Sequence, residues 1–124
     1  MRTPVKISKN QRRKIQKIIK NSLQKEKDIL FAYLHGSFLQ NEFRDIDIAL
    51  YINKNLSKKK QLSYELSFEE KLQNIVLYPV DVRILNHVPL SFSFSVIKNG
   101  IILFSNDENK RIDFETRIFT KYHD

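Results

Sequence analysis

The chain has 124 residues, no cysteine and a formal net charge of +8. This length predicts one small domain, residues 1–124, with a single hydrophobic core and no second substrate-recognition domain. The lack of cysteine excludes a disulfide framework and a thiol nucleophile, and no apolar run approaches the ~20 residues that a membrane-spanning helix needs. The amino terminus shows no signal-peptide core, so we expect a cytoplasmic protein without a membrane partner.

The positive charge is concentrated at the start of the chain. Residues 1–27 carry a net charge of +9, whereas residues 28–124 carry a net charge of −1. With Ser8 as its cap, the first segment predicts a basic amphipathic helix. Its predicted apolar stripe consists of Ile15, Ile18, Ile19 and Leu23. The basic face is expected to be solvated, although it could meet an acidic partner or an RNA backbone.

A buried strand is predicted next, and it runs into a glycine. The apolar run Ile29–Leu34 leads through His35 to Gly36 and Ser37, and this pattern predicts a strand followed by a turn. Glycine permits a strained turn and a close approach of the backbone to a ligand, and the serine can add a hydroxyl donor. The pair is therefore a candidate for binding an anionic ligand.

A second strand follows, and its polar face begins with two acids. Ile46, Ile48 and Leu50 alternate with residues that include Asp45 and Asp47. Side chains two residues apart on a strand project from the same face, ~6.6 Å apart. Burying such carboxylates without a partner is costly, so the pair predicts a site for divalent metal.

The remaining elements alternate between helices and strands. They are a middle helix over Ser57–Ile75, a strand over Tyr78–Leu85, a helix from Pro89 to Asn99 and a strand over Ile101–Phe104. The inner side of the middle helix is predicted to consist of Leu62, Leu66, Phe68 and Leu72. We interpret the order as an α/β (α+β) domain with a mixed sheet of about four strands flanked by helices.

The order of these motifs resembles the minimal nucleotidyltransferase (MNT) family, a branch of the DNA polymerase beta-like nucleotidyltransferases. The resemblance rests on a strand, Gly36-Ser37, a strand with Asp45-x-Asp47, a helix and a strand with Asp81. The segment from Ile112 to Tyr122 is similar to the closing helix of the family. One departure is the connection between the serine and the first acid, which has seven residues and is shorter than is common in the family.

The resemblance implies a nucleotidyltransferase-like fold and the transfer of AMP from ATP. Asp45 and Asp47 would bind two Mg²⁺ ions, and Asp81 would complete the second metal site or take the proton of the attacking hydroxyl. The candidate residues for binding the nucleotide are Gly36, Ser37 and Arg44.

The resemblance also implies a protein partner. Stand-alone chains of this type look like the antitoxin half of a HEPT/MNT toxin-antitoxin pair, which transfers AMP to a tyrosine of the helical HEPT ribonuclease toxin. ATP and such a toxin, in a hetero-oligomer, are therefore the expected partners. One alternative is a catalytically weak or inactive antitoxin that neutralises its partner by contact. Another is an RNA-binding module that uses the basic helix and does not need Mg²⁺.

Each candidate site residue also has an ordinary structural interpretation. The Gly-Ser pair could be a simple turn, Asp45 could pair with Arg44, and Asp81 could pair with Arg83. His35 is expected to be a packed residue at the strand end. No zinc site is expected, because the three histidines lack a ligand spacing.

Overall fold

The structure is a computed structural model that describes residues 3–123. Residues 1, 2 and 124 of the predicted domain lie outside the described residues. The strands are β1 (Val5–Lys6), β2 (Ile29–His35), β3 (Glu42–Phe43), β4 (Ile46–Ile52), β5 (Val80–Ile84) and β6 (Ile101–Ser105). The helices are α1 (Lys9–Gln24), α2 (Lys58–Val76), α3 (Leu90–Asn99) and α4 (Glu108–His123), with 3-10 helices at Gly36–Leu39 and Leu85–His87.

The centre of the fold is a four-stranded mixed sheet in the order β5-β4-β2-β6. β2 is antiparallel to both β4 and β6, whereas β4 and β5 are parallel and are joined by α2. Helices flank the sheet, so the predicted fold class is confirmed. β1 and β3 form a separate antiparallel pair, which the sequence analysis did not predict.

The two faces of the sheet bury two apolar clusters. On one face, Ile46, Ile48 and Leu50 of β4 pack with buried side chains of α1 and α2. The cluster on the other face contains Phe31, Tyr33, Ala49, Val96, Phe114 and Ile118, and thus joins β2 and β4 to α3 and α4. The alternation along β4 therefore directs its even-numbered residues to α1 and α2, and its odd-numbered residues to the opposite face.

α1 begins at the predicted cap. The Ser8 hydroxyl accepts a hydrogen bond from the N–H of Gln11, and the Gln11 side chain accepts one from the N–H of Ser8. This reciprocal pair is a capping box, which satisfies two N–H groups at the start of the helix. Ile15 and Ile19 are buried, but Ile18 is 40% exposed, so the apolar stripe is narrower than predicted.

The inner side of α2 differs from the prediction. Phe68 and Leu72 are buried as expected, but Leu62 and Leu66 are 56% and 54% exposed. The prediction for these two leucines is wrong, because polar side chains of α2 face the sheet in their place.

Those polar side chains accept hydrogen bonds from the backbone N–H groups at the outer edge of β5. The hydrogen bonds run from the N–H groups of Ile84, Val82 and Val80 to the side chains of Glu65, Glu69 and Gln73, at 2.8, 2.8 and 3.0 Å. Four helical residues rise about 6 Å and two strand residues about 6.6 Å, so successive helical turns match successive outward N–H groups. α2 thus covers an edge that would otherwise be open to pairing with another strand.

The last two helices lie close to their predicted positions. α3 ends at Asn99 as predicted, and α4 begins at Glu108, four residues before the predicted Ile112. None of the helices within residues 3–123 is long and apolar enough to cross a membrane.

Candidate active site

The chain leaves β2 through a glycine turn that contacts a candidate metal ligand. Gly36 begins the first 3-10 helix with φ of 77°. This value lies in the left-handed region, which is unfavourable for residues that have a Cβ. A Cβ added at this position would clash with the carboxylate of Asp47. Glycine is therefore needed here both for its backbone conformation and for its missing side chain.

Ser37 closes the connection between this turn and the acids. Its hydroxyl oxygen accepts a hydrogen bond of 3.2 Å from the N–H of Arg44. The hydroxyl proton is not used by this bond, so Ser37 can still donate to a ligand. Arg44 is exposed and lies directly before Asp45 in the bend that precedes β4.

The strand register brings the predicted acids to one place on the sheet. In the parallel pair, Asp47 of β4 lies directly opposite Asp81 of β5, and neighbouring strands are about 4.8 Å apart. Asp45 stands two residues before Asp47, at the start of the same strand face, and all three acids are half-buried. Three oxygen ligands of the type that Mg²⁺ prefers therefore emerge at one end of the sheet.

The carboxylates are not gathered into a finished metal cluster. Among residues 3–123, no group of three or more His, Asp or Glu side chains is arranged to hold a metal ion. Asp81 forms an ion pair of 3.4 Å with Nε of Arg83, as its structural interpretation predicted. The like charges of Asp81 and Asp47 repel each other without a cation, and Oδ1 is the Asp81 oxygen that pairs with Arg83. The donor set fits Mg²⁺ in chemistry, and metal binding by these residues stays a prediction.

A further acid borders Asp81 from α2. Glu69 has a raised pKa, mainly because it is withdrawn from solvent and also because the Asp81 carboxyl is close enough to share a hydrogen bond with it. The hydrogen bond that Glu69 accepts from Val82 acts in the opposite direction. No sequence motif marks Glu69 as part of this site, because its inward position depends on the packing of α2 along β5.

His35 stands in the same row as the acids. It lies opposite Asp47 across the β2–β4 pair, and its ring meets Phe92 edge to face at a centroid distance of 5.6 Å. Its Nε2 atom is buried without a hydrogen-bond partner among residues 3–123. Burial lowers the pKa of His35, although Asp81 and Asp45 oppose this effect. The expectation of a packed strand-end residue is confirmed, and the histidine also adjoins the acids.

A cleft opens beside the glycine turn. It has a volume of about 560 Å³ and is lined by Gly36, Ser37 and neighbouring residues on one side, and by Ser95 and Asn99 of α3 on the other. The two α3 residues are functional candidates that the sequence analysis missed. No sequence motif marks them, because they reach the site only through the packing of the end of α3 beside the end of β2.

α1 reaches the site through one of its basic residues. The guanidinium of Arg12 lies over the rings of Phe38 and Phe43, at 5.0 and 5.8 Å, and donates a hydrogen bond of 3.4 Å to the carbonyl of Asn41. Arg12 therefore anchors the segment after Ser37. The exposed basic face of α1 is formed by other residues, among them Arg13 and Lys17.

The sequence and the fold were compared with known proteins. The family model described as Polymerase beta, Nucleotidyltransferase matches residues 16–109, a span that contains the glycine turn and all three acids. A search of curated proteins gave no match.

Three solved structures are similar over most of the chain. The first is the tri-AMPylated HEPN toxin of Shewanella oneidensis in complex with MNT antitoxin, with 20% identity, a TM-score of 0.67 and coverage of 87% of each chain. The second is the toxin-antitoxin MntA-HepT, with 19% identity, a TM-score of 0.65 and coverage of 94% of this chain and 87% of that chain. The third is a toxin-antitoxin with AMP-PNP, with 22% identity, a TM-score of 0.68 and coverage of 88% and 86%. These similarities establish the fold and confirm the predicted resemblance to MNT proteins.

Proposed function

Because the chain belongs to the polymerase beta nucleotidyltransferase family, we propose that it transfers AMP from ATP to a hydroxyl of a partner protein. The proposed partner is a HEPT-type ribonuclease toxin, for which the chain acts as antitoxin. The observation that carries the proposal is the strand register that sets Asp47 beside Asp81, two residues after Asp45 and against Gly36. A surface used only for contact has no need of neighbouring carboxylates beside a left-handed turn.

The acids have the task of binding metal. Asp45 and Asp47 would hold Mg²⁺, and Asp81 would complete the site of a second ion. When bound, Mg²⁺ offsets the negative charge of the triphosphate and lowers the pKa of the attacking hydroxyl. The carboxylates would keep the metal charge at the end of the sheet, which the acceptor can reach from solvent.

The turn has the task of holding the nucleotide. Gly36 lets the backbone approach the phosphates closely, and Ser37 donates its hydroxyl proton to a phosphate oxygen. Arg44, whose N–H donates to the Ser37 hydroxyl, supplies a positive charge beside the acids. Together these residues orient the α-phosphate toward the acceptor.

The proposed step is a single displacement at phosphorus. The acceptor oxygen attacks the α-phosphorus of ATP, and the bond from this phosphorus to the bridging oxygen of the β-phosphate breaks. Pyrophosphate leaves with the electron pair, and the hydroxyl proton passes to Asp81 or to solvent. Positioning and charge stabilisation account for most of the catalysis in reactions of this kind.

The similar structures support the choice of partner. One of them pairs a tri-AMPylated HEPN toxin with an MNT antitoxin, and another is a toxin-antitoxin with AMP-PNP. We propose tyrosine as the acceptor on the basis of the MNT resemblance. The toxin must place that tyrosine at the acids, so a hetero-oligomer of the two chains is part of the proposal.

A catalytically weak antitoxin that neutralises its partner by contact is the second candidate. The ion pair between Asp81 and Arg83 favours it, because a cation of the chain itself already compensates this carboxylate. The short connection of seven residues between Ser37 and Asp45 favours it as well.

Transfer of label from ATP separates the two candidates. The protein is incubated with Mg²⁺, a HEPT-type toxin protein and ATP labelled at the α-phosphate. We expect the label on a partner tyrosine, located by mass spectrometry, and its loss when EDTA is present. ATP labelled at the γ-phosphate is the matched control, because its label must leave with pyrophosphate. A partner that is neutralised without carrying label would instead support the contact candidate.

A further inference from the structure

The cleft beside the glycine turn has an uncharged lining. Its walls are formed by His35, Gly36, Ser37, Leu39, Gln40, Ser95 and Asn99. None of these side chains carries a fixed charge. The volume of about 560 Å³ lies within the range of about 300–1,000 Å³ that small-molecule sites occupy.

Gly36 separates this neutral cleft from the acids. The carboxylate of Asp47 lies against Gly36, and Asp81 is the next residue across the sheet. A metal cation at the acids would offset the negative charge of both the carboxylates and the phosphates, so the charged part of a nucleotide belongs on that side of Gly36. A ligand that spans Gly36 would therefore place its charged part at the acids and its uncharged part in the cleft.

Two polar side chains of α3 face the cleft from one side of the helix. Ser95 and Asn99 are one turn apart, and Nδ2 of Asn99 donates a hydrogen bond of 3.4 Å to Oγ of Ser95. After this bond, the pair still offers a hydroxyl proton, an amide proton and an amide oxygen. Such a set can both donate to and accept from the hydroxyl groups and ring nitrogens of a nucleoside.

We propose that the cleft binds the nucleoside part of the nucleotide, and that Ser95 and Asn99 are its hydrogen-bonding residues. This inference rests on the proposed function, since it assigns the other half of the same substrate. It makes α3 a wall of the nucleotide site, although no recognised motif lies on this helix. The position of α3 is fixed at its end, where Gly100 fits against the carbonyl of Leu34 with no space for a Cβ.

The test compares two ligands that differ only in the nucleoside. Titration calorimetry measures the dissociation constants of Mg-ATP and of Mg-tripolyphosphate for the wild type, Ser95→Ala, Asn99→Ala and the double variant. We expect each single change to weaken Mg-ATP about three- to tenfold, the usual effect of one hydrogen bond, and to leave Mg-tripolyphosphate unchanged. Retained tripolyphosphate binding also shows that the variants are folded.

Matched controls come from exposed positions outside the cleft. Ser91→Ala on α3 and Asn21→Ala on α1 remove the same groups from solvent-facing sites and should leave both constants unchanged. Repeating the Asn99→Ala titration with 2′-deoxy-ATP locates the contact. If Asn99→Ala weakens the binding of 2′-deoxy-ATP as much as that of ATP, the contact is with the base or the 3′-hydroxyl. If it does not weaken the binding of 2′-deoxy-ATP, the contact is with the 2′-hydroxyl.

The outcomes separate this inference from the proposed function. If the wild type binds both ligands and the α3 variants bind Mg-ATP normally, the inference is overturned and the proposed function stands. The same holds if the variants weaken both ligands equally. If the wild type binds neither ligand, the proposed function fails and the inference fails with it.

Discussion

The two halves of β4 present different chemistry on the same face. In the first half, Asp47 is half-buried and adjoins the glycine turn, and Asp45 lies half-buried in the bend just before the strand. In the second half, Ala49 is fully buried, and the ring of Tyr51 lies against Phe114 of α4 at a centroid distance of 5.1 Å. One strand therefore changes from a charged, accessible surface to an apolar, covered one within a few residues.

This difference indicates that the covered half of the strand contributes to stability and the acidic half to function. Burying apolar side chains under α4 stabilises the fold by about 1.5–3 kcal/mol for each large side chain. Placing carboxylates side by side costs stability unless a partner or a cation compensates them. The covered half should therefore tolerate few changes without unfolding, whereas the acidic half should tolerate neutral substitutions and lose only its activity.

The largest effect is expected from changing Asp45 and Asp47 together. Asp45→Asn with Asp47→Asn removes two charged oxygen ligands, and we expect label transfer to fall by on the order of a thousandfold. The free energy of unfolding, measured by urea titration, should change by less than about 1 kcal/mol, since the changes are nearly isosteric. Asp113→Asn on the exposed side of α4 is the matched control and should keep full transfer. Undiminished labelling by the double variant would end the catalytic proposal.

The opposite pattern is expected from the covered half. Phe114 is 3% exposed and contacts the rings of both Phe31 and Tyr51. Phe114→Ala should lower the free energy of unfolding by about 3–5 kcal/mol, because it removes buried area and leaves a cavity. Transfer per folded molecule should stay close to that of the wild type.

Phe119→Ala provides the comparison for this variant. Phe119 lies on the same helix but is 39% exposed, so its loss should cost less stability. Equal costs for the two variants would contradict the division between the two halves, because burial would then not decide the effect.

A glycine variant should affect both properties at once. Gly36→Ala puts a Cβ into a left-handed conformation, at a cost of about 1–2 kcal/mol, and pushes it into the Asp47 carboxylate. Displacing that carboxylate by about 1 Å should lower transfer up to about a hundredfold.

The second glycine offers a comparison for the Gly36 variant. Gly100→Ala meets the backbone carbonyls of Val96 and Leu34, so it should destabilise the fold without contacting Asp47. Unfolding and transfer per folded molecule are measured for both variants, the transfer at saturating Mg-ATP, so that a shift of α3 that weakens nucleotide binding does not limit it. Equal losses of transfer would mean that the clash with Asp47 has no special role.

Most of the central sheet could be predicted because its signals are local. The alternation of Ile46, Ile48 and Leu50 with the acids predicted β4 and its buried face, and Gly36 marked the end of β2. The pairing of β1 with β3 could not be predicted, because two-residue strands have no periodicity and their contact joins distant parts of the chain.

The candidate site was predictable to the extent that its residues lie on strands. Asp47 and Asp81 were both named from their strands, and the register of the parallel neighbours β4 and β5 places them opposite each other. The position of Glu69 depends on how α2 lies along an edge strand, and the position of Asn99 depends on where α3 ends. Such packing of one element on another leaves no pattern in the sequence of either element.

The smallest effect that we predict concerns Tyr33, which is buried between the sheet and α4. The Tyr33 hydroxyl donates a hydrogen bond of 2.6 Å to Oε2 of Glu115, which also accepts one of 2.7 Å from Nη1 of Arg111. Burial, together with this bond and the charge of Glu115, raises the pKa of Tyr33 well above its ordinary value of 10.0. The folded protein therefore holds this proton at pH values where the unfolded chain loses it.

Tyr33→Phe tests this hydrogen bond through the pH dependence of stability. At pH 7 the variant should lose about 1 kcal/mol, because the Glu115 carboxylate loses one of its donors. Above pH 10 the unfolded chain binds fewer protons than the folded wild type, so wild-type stability falls as the pH rises. The phenylalanine variant lacks this dependence, and the other tyrosines are common to both proteins. Urea unfolding at pH 7, 9, 10 and 11 should therefore show the gap between the two proteins narrowing above pH 10. A gap that stayed constant to pH 11 would mean that folding does not hold the Tyr33 proton.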